Sequence, residues 1–230
     1  MGIAQGVVQH LPFGVHHPEP SIRRLLLVIA TAAASAAATL SAQQTAPQAP
    51  AHTAPLAQYA AVKVAVVPVQ FFRADTTAFA APPAAAMRAA FDSLLSEALD
   101  EHGLKGMWAT PADVQRAAKR NAGYVNDPRN LGAFSVRNGI GKEGAIPDPL
   151  ASNVRRVVAL HDARYMLMPV ELRVDAAKGG GNLVARLLLI DARLVTALWQ
   201  VDLIGDHATA FSMALLQKLT TRIADLAVAP

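Results

Sequence analysis

Apolar positions change their spacing along the chain, and each change marks out an element. Residues 62–69 (VKVAVVPV) form a β-branched run suited to a central strand, with Pro68 marking its end. Residues 70–82 lack such a pattern and read as a loop ahead of a helix. Met87, Phe91, Leu95 and Leu99 then recur every fourth residue, while Arg88, Asp92, Asp100 and Glu101 lie off that line. This spacing predicts an amphipathic helix that Gly103 stops. Residues 104–109 (LKGMWA) read as a short strand. Thr110-Pro111-Ala112-Asp113 places a capping hydroxyl, a proline at the first helical position and an acid in the first turn, so a second helix should run to about Asn121.

Residues 122–148 hold five glycines among basic side chains and predict an irregular basic loop. Asp148-Pro149 opens a third helix by the same capping logic, reaching about His161. Residues 163–174 read as a strand, Lys178 to Asn182 as a turn, residues 183–190 as a strand, Asp191-Ala192-Arg193 as a tight connection, and residues 195–204 as the returning strand. Phe211, Leu215, Leu219, Ile223 and Leu226 stripe a terminal helix, with Asp206-His207 at its start. The expected order is β-α-β-α-α-β-β-β-α. That is an α+β fold with helices packed on a mixed sheet of about five strands, built as one domain over residues 61–230.

The chain ahead of this domain has a different character. Arg23 and Arg24 precede a sixteen-residue uncharged run, Leu25 to Leu40, and then small residues up to Ala42. Charged, apolar and small segments in that order are the signature of a secretory signal peptide. Cleavage after Ala42 would leave a periplasmic or secreted protein. An uncleaved segment 25–40 would instead anchor it in the inner membrane. The twenty residues before this segment are an atypical extension. Residues 43–60 (QQTAPQAPAHTAPLAQYA) are rich in proline, alanine and glutamine and read as a disordered linker.

Three local patterns carry a family resemblance. They are Val64-Ala65-Val66-Val67-Pro68-Val69, Ala163-Arg164-Tyr165-Met166-Leu167, and Leu189-Ile190-Asp191-Ala192-Arg193 followed by Leu198-Trp199. In this order they resemble bacterial envelope proteins of the TolB amino-terminal-domain, curli-secretion-lipoprotein and penicillin-binding-protein-activator type, over about residues 62–228. The resemblance implies a binding or assembly role on the α+β body. Two departures limit it. The family hairpin usually has a threonine-glycine pair where this chain has Leu194-Val195, and there is no cysteine to acylate, so lipid anchoring does not carry over. Pore formation does not carry over either. A transmembrane hairpin needs two strands of about 9–11 alternating residues, and residues 122–148 offer nothing longer than Ala133 to Val136.

Composition narrows the function further. With 53% hydrophobic and 17% charged residues over 230 positions, the chain can fill a core. The absence of cysteine removes disulfides, thiolate metal sites and cysteine nucleophiles. Much of the net charge of +4 sits between Lys105 and Arg156, where nine basic residues face four acidic ones. The stretch lacks the interleaved aromatics of a nucleic-acid surface. Arg116, Lys119, Arg120, Arg129, Arg137 and Lys142 are the candidate contacts for an envelope protein or anionic polymer.

Catalytic signals are weak. Gly139 to Gly144 satisfies G-x-G-x-x-G but follows a polar loop and runs into prolines instead of opening a helix. His102 and His161 fall at helix ends, and the histidines show no metal-ligand spacing, so neither cofactor nor metal is expected. Glu171 and Asp175 share a strand face and read as solvated carboxylates on an outer strand. The function read from the sequence is an exported, non-catalytic binding or assembly module. The alternatives are a ligand-binding accessory subunit of an envelope transport system and, less favoured, a small exported hydrolase.

Overall fold

The computed structural model describes residues 54–74, 79, 81–141 and 143–228. The segment read as a signal peptide with its extension (1–42), most of the segment read as a linker and Lys142 therefore lie outside the described residues. The body is α+β: a six-stranded mixed sheet with four helices on its two faces. The strands are β1 (Val64–Val66), β2 (Phe71–Ala74), β3 (Trp108–Ala109), β4 (Tyr165–Ala177), β5 (Gly180–Asp191) and β6 (Thr196–Ala208). The helices are α1 (Ala84–Glu101), α2 (Pro111–Arg120), α3 (Leu150–Ala159) and α4 (Met213–Asp225). Across the sheet the order is β3-β1-β4-β5-β6, with β2 also paired to β4. Strands β3, β1 and β2 run parallel to their neighbours, and β4, β5 and β6 form an antiparallel meander.

Alternation along the strands divides the core in two. Val64, Val66, Leu167, Leu172, Leu187 and Leu189 point to one face, where α1, α4 and residues 56–60 pack. Ala65, Val67, Met166, Met168, Leu188 and Ile190 point to the other, under α2, α3 and the glycine-rich segment. The fourfold stripe of α1 is fully buried, as its spacing predicts. Thr110 and Asp113 form a complete capping box at the start of α2.

Several expectations are corrected. Residues 70–82 include a strand: Phe71–Ala74 continues the chain along β4 after a break at Pro68, whose missing N–H cannot donate to a ladder. The sixth strand follows from this pairing. Asp206 and His207 do not start the last helix. They lie on β6, which extends to Ala208 because β5 continues opposite it, and α4 begins after Ser212. The turn at residues 178–182 is tighter than expected, since Gly180 already pairs within β5. A Cβ on Gly180 would collide with the Ala208 backbone, which explains glycine there. β4 is an interior strand, and Glu171 on it is buried instead of solvated. Asp92, off the stripe of α1, is buried too.

Two segments that read as irregular are tied down by specific bonds. Leu56, in the proline-rich stretch, is fully buried, and its N–H donates to the Leu226 carbonyl at 2.8 Å. In the glycine-rich segment, the buried Gln70 amide donates to Pro68 O and Pro128 O and accepts from Leu131 N–H. Asn153 of α3 donates to Leu131 O and accepts from Asn126. Arg129 reaches the buried Asp92, which also accepts the Val69 N–H. Burial pushes the Asp92 carboxyl above its ordinary range, although Val69 and Arg129 pull the other way.

Candidate functional site

Among the described residues, strand and helix lengths leave part of the sheet without a helix over it. The thirteen residues of β4 extend roughly 43 Å at a strand rise, whereas the ten residues of α3 span roughly 15 Å. On the face carrying α2 and α3, the side chains change where that cover ends. Met166, Met168 and Val170 give way to Glu171, Arg173 and Asp175, just past a bulge at Pro169–Glu171. A bulge re-aims the residues that follow it.

Neighbouring strands add matching charges by register. Glu171 pairs with Arg186 of β5, Arg186 with Asp202 of β6, and Arg73 of β2 with Arg173. Arg186 holds Asp202 in a fork, Nε to Oδ1 at 2.7 Å and Nη2 to Oδ2 at 2.7 Å, and donates its remaining nitrogen to the Arg137 carbonyl. Arg173 donates to Asp175 and to Asp202. Its Nη1 is buried with no hydrogen-bond partner among the described residues. Arg137, on the short 3₁₀ helix Ala133–Val136 and its cap, donates twice to Glu171 and lies 4.8 Å over the Phe71 ring. The rings of Phe71 and Phe134 are 4.8 Å apart, and Phe134 is 68% exposed.

Apart from Phe71 and Asp202, these groups line an open cleft of about 740 Å³. The Arg186 fork holds the Asp202 carboxyl below its ordinary range, against the effect of burial. Glu171 and Asp175 are both engaged by guanidinium groups, so they work as fixed acceptors that orient arginines and not as a free acid and base. Four arginines exceed the three carboxylates, and an exposed aromatic ring stands beside them. The arrangement suits an acidic surface that also offers an apolar side chain.

The five basic candidates among the described residues do not gather at one place. Arg137 enters this cleft. Arg116 and Arg120 line a pocket at the start of β1 and β3, and Arg116 is paired with Asp113 at 2.6 Å. Lys119 and Arg129 flank a depression of about 480 Å³, with Arg129 committed to Asp92. The residues that sequence reasoning missed are Arg73, Arg173, Arg186 and Asp202. The signal for them was present: charges two apart in strands that are otherwise apolar, as in Glu171, Arg173 and Asp175.

Among the described residues, no helix is long and apolar enough to cross a membrane, and no group of histidine and carboxylate side chains could hold a metal ion. No protein-family model and no curated protein matches the chain. Solved structures do resemble it. LpoB of E. coli is 14% identical with a TM-score of 0.38, and the match covers 87% of this chain and 91% of that one. For the PelC dodecamer from Paraburkholderia phytofirmans the values are 15%, 0.36, 79% and 93%. For lipoprotein GNA1162 from Neisseria meningitidis they are 15%, 0.38, 71% and 96%. A protein named as a lipoprotein is thus among the structures similar to this chain, overlapping weakly with the envelope family that the sequence motifs resemble. At identities and TM-scores this low, none of these structures transfers a residue role, partner or location.

Proposed function

We propose that this chain is an exported, non-catalytic binding module of the bacterial envelope, and that it engages a protein partner through the open charged half of its sheet. The observation that carries the reading is the cleft itself. A sheet face that could have been covered presents ordered arginines beside an exposed phenylalanine. The charged, apolar and small order of residues 21–42 supports export. Arg137 belongs to this surface, whereas Arg116 and Arg120 of α2 line one separate pocket and Lys119 of α2 another.

Site-specific crosslinking in the native envelope tests the reading. A photoreactive residue in place of Asn138, an exposed position lining the same cleft, should capture a discrete partner, and adding Arg73→Glu together with Phe134→Ser should abolish that product with little change in melting temperature. Both side chains are mostly exposed, so the fold should tolerate the pair. If the adduct persists in the double variant, the cleft is not the contact. If Arg116→Glu, Lys119→Glu and Arg120→Glu together remove it instead, α2 is the contact.

A further inference from the structure

A separate concavity of about 360 Å³ is enclosed by Lys63 before β1, Gly106 to Trp108 at the start of β3, Asp113, Arg116 and Arg120 of α2, and His161 beyond α3. Its acids are already committed. One Asp113 oxygen accepts from Arg116, and the other accepts the Thr110 N–H and hydroxyl. Lys63 is matched by Asp162 at 2.7 Å. Arg120 has no ion pair or hydrogen bond among the described residues, so the pocket retains one uncompensated guanidinium. His161 Nε2 is buried and also has no hydrogen-bond partner among the described residues. Buried polar atoms are nearly always paired, so an orphan ring nitrogen facing an unmatched cation calls for a ligand that accepts from both.

The geometry points to a binding site for a phosphate monoester, its oxygens taking donors from Arg116, Arg120 and His161 Nε2 and its organic substituent lying against Met107. Planar guanidinium groups match tetrahedral oxyanions through paired N–H donors. Met107 is 38% exposed, which leaves room beside the oxyanion for a compact substituent such as a glycerol unit. Burial holds the His161 imidazole below its ordinary range, with Asp113 acting in the opposite direction and Arg120 in the same one. The Nε2–H tautomer of the neutral ring would offer a bound phosphate a donor, and the anion would in turn favour protonation. This site is independent of the sheet-face cleft, and neither reading depends on the other.

The phosphate group could belong to a soluble molecule or to a lipid headgroup, and two arms separate these sources. The full chain is titrated calorimetrically with sn-glycerol 3-phosphate while the His161 ring nitrogens are followed by NMR. It is also sedimented with phosphatidylcholine vesicles, with and without phosphatidic acid. A soluble ligand predicts saturable heat and a selective His161 shift. A lipid ligand predicts co-sedimentation only when phosphatidic acid is present. In either case Arg120→Gln should weaken binding by about tenfold or more, the loss of one charge-assisted bond, and His161→Phe should weaken it too. The Arg120 side chain is exposed, so its variant should fold normally. No binding in either arm, or binding untouched by Arg120→Gln, overturns the site.

Discussion

Replacing Asp191 with alanine asks whether one carboxylate holds the β5–β6 turn. Asp191 is 1% exposed, and its Oδ1 accepts the N–H groups of Arg193 at 2.9 Å and Leu194 at 3.2 Å. Its Oδ2 accepts from Arg164 Nε at 3.0 Å and Nη2 at 2.6 Å. A hydrogen bond to a charged group contributes about 1.5–3 kcal/mol net, and the half-exposed guanidinium adds about 0.5–1 kcal/mol. Taking the lower figure for each of the two turn bonds, Asp191→Ala should cost about 4 kcal/mol. Asp191→Asn keeps a neutral acceptor for both N–H groups and gives up only the charge, so about 1.5–2 kcal/mol is expected. Equilibrium urea unfolding followed by tryptophan fluorescence reads both. Trp199 sits opposite Leu189 in the adjoining strand, and Trp108 lies in the core. An alanine variant within about 1 kcal/mol of wild type, or equal to the asparagine variant, would refute the reasoning and leave the turn held by the strand ladder alone.

The same turn makes a second prediction, because Val195 has φ +56, where a β-branched side chain is strained. Val195→Gly should be more stable than Val195→Ala by about 1 kcal/mol, reversing the usual order, and thermal melts of the two variants check it. The third prediction concerns acid. Asp202 is held low by Arg186, and Asp191 is held low by Arg164 and the two turn N–H groups even though burial opposes them, so both protonate below the unfolded value of about 3.9. Their stabilisation is fully present above about pH 4 and is lost as the pH falls through their folded values. His161, lowered by burial, starts a separate decline below about pH 6.5, where the unfolded chain binds the extra proton. Asp92 is shifted the other way and offsets part of the loss. Urea midpoints measured across this range should fall in two stages, and His161→Phe should remove the upper one. A midpoint that rises between neutral pH and pH 5 would contradict the assignment.

The resemblance and the turn meet at Val195. This is the position where the family hairpin has glycine, and the backbone keeps the left-handed conformation that glycine adopts without strain. The chain holds that shape through Asp191, whose backbone carbonyl also accepts the Val195 N–H at 2.7 Å. Hydrogen bonds therefore hold a conformation that glycine would adopt without strain. Leu194 beside it is 61% exposed and needs no core to support it.

Local order was legible because it depends on neighbours a few residues apart. The α1 stripe, the Thr110 and Asp113 box and the aspartate-led hairpin all span a turn or two of chain, and all three are present in the structure. The strand Phe71–Ala74 could not be read in this way. Four residues carry too little periodicity, and they become a strand only because β4 continues past β1 and offers a free edge. Strand β6 outruns its sequence signal for the same reason, since β5 gives it a partner as far as Ala208. The cleft belongs to tertiary structure almost entirely. Arg73 and Asp202 are far apart in sequence, and Arg173 between them meets both only after three strands take their order and a bulge turns Glu171, Arg173 and Asp175 onto the uncovered face. Periodicity is a property of adjacent residues, so the chain alone could set its helices, its long strands and its α+β class. Which charges become neighbours depends on pairing between distant segments, and that was decided when the sheet closed.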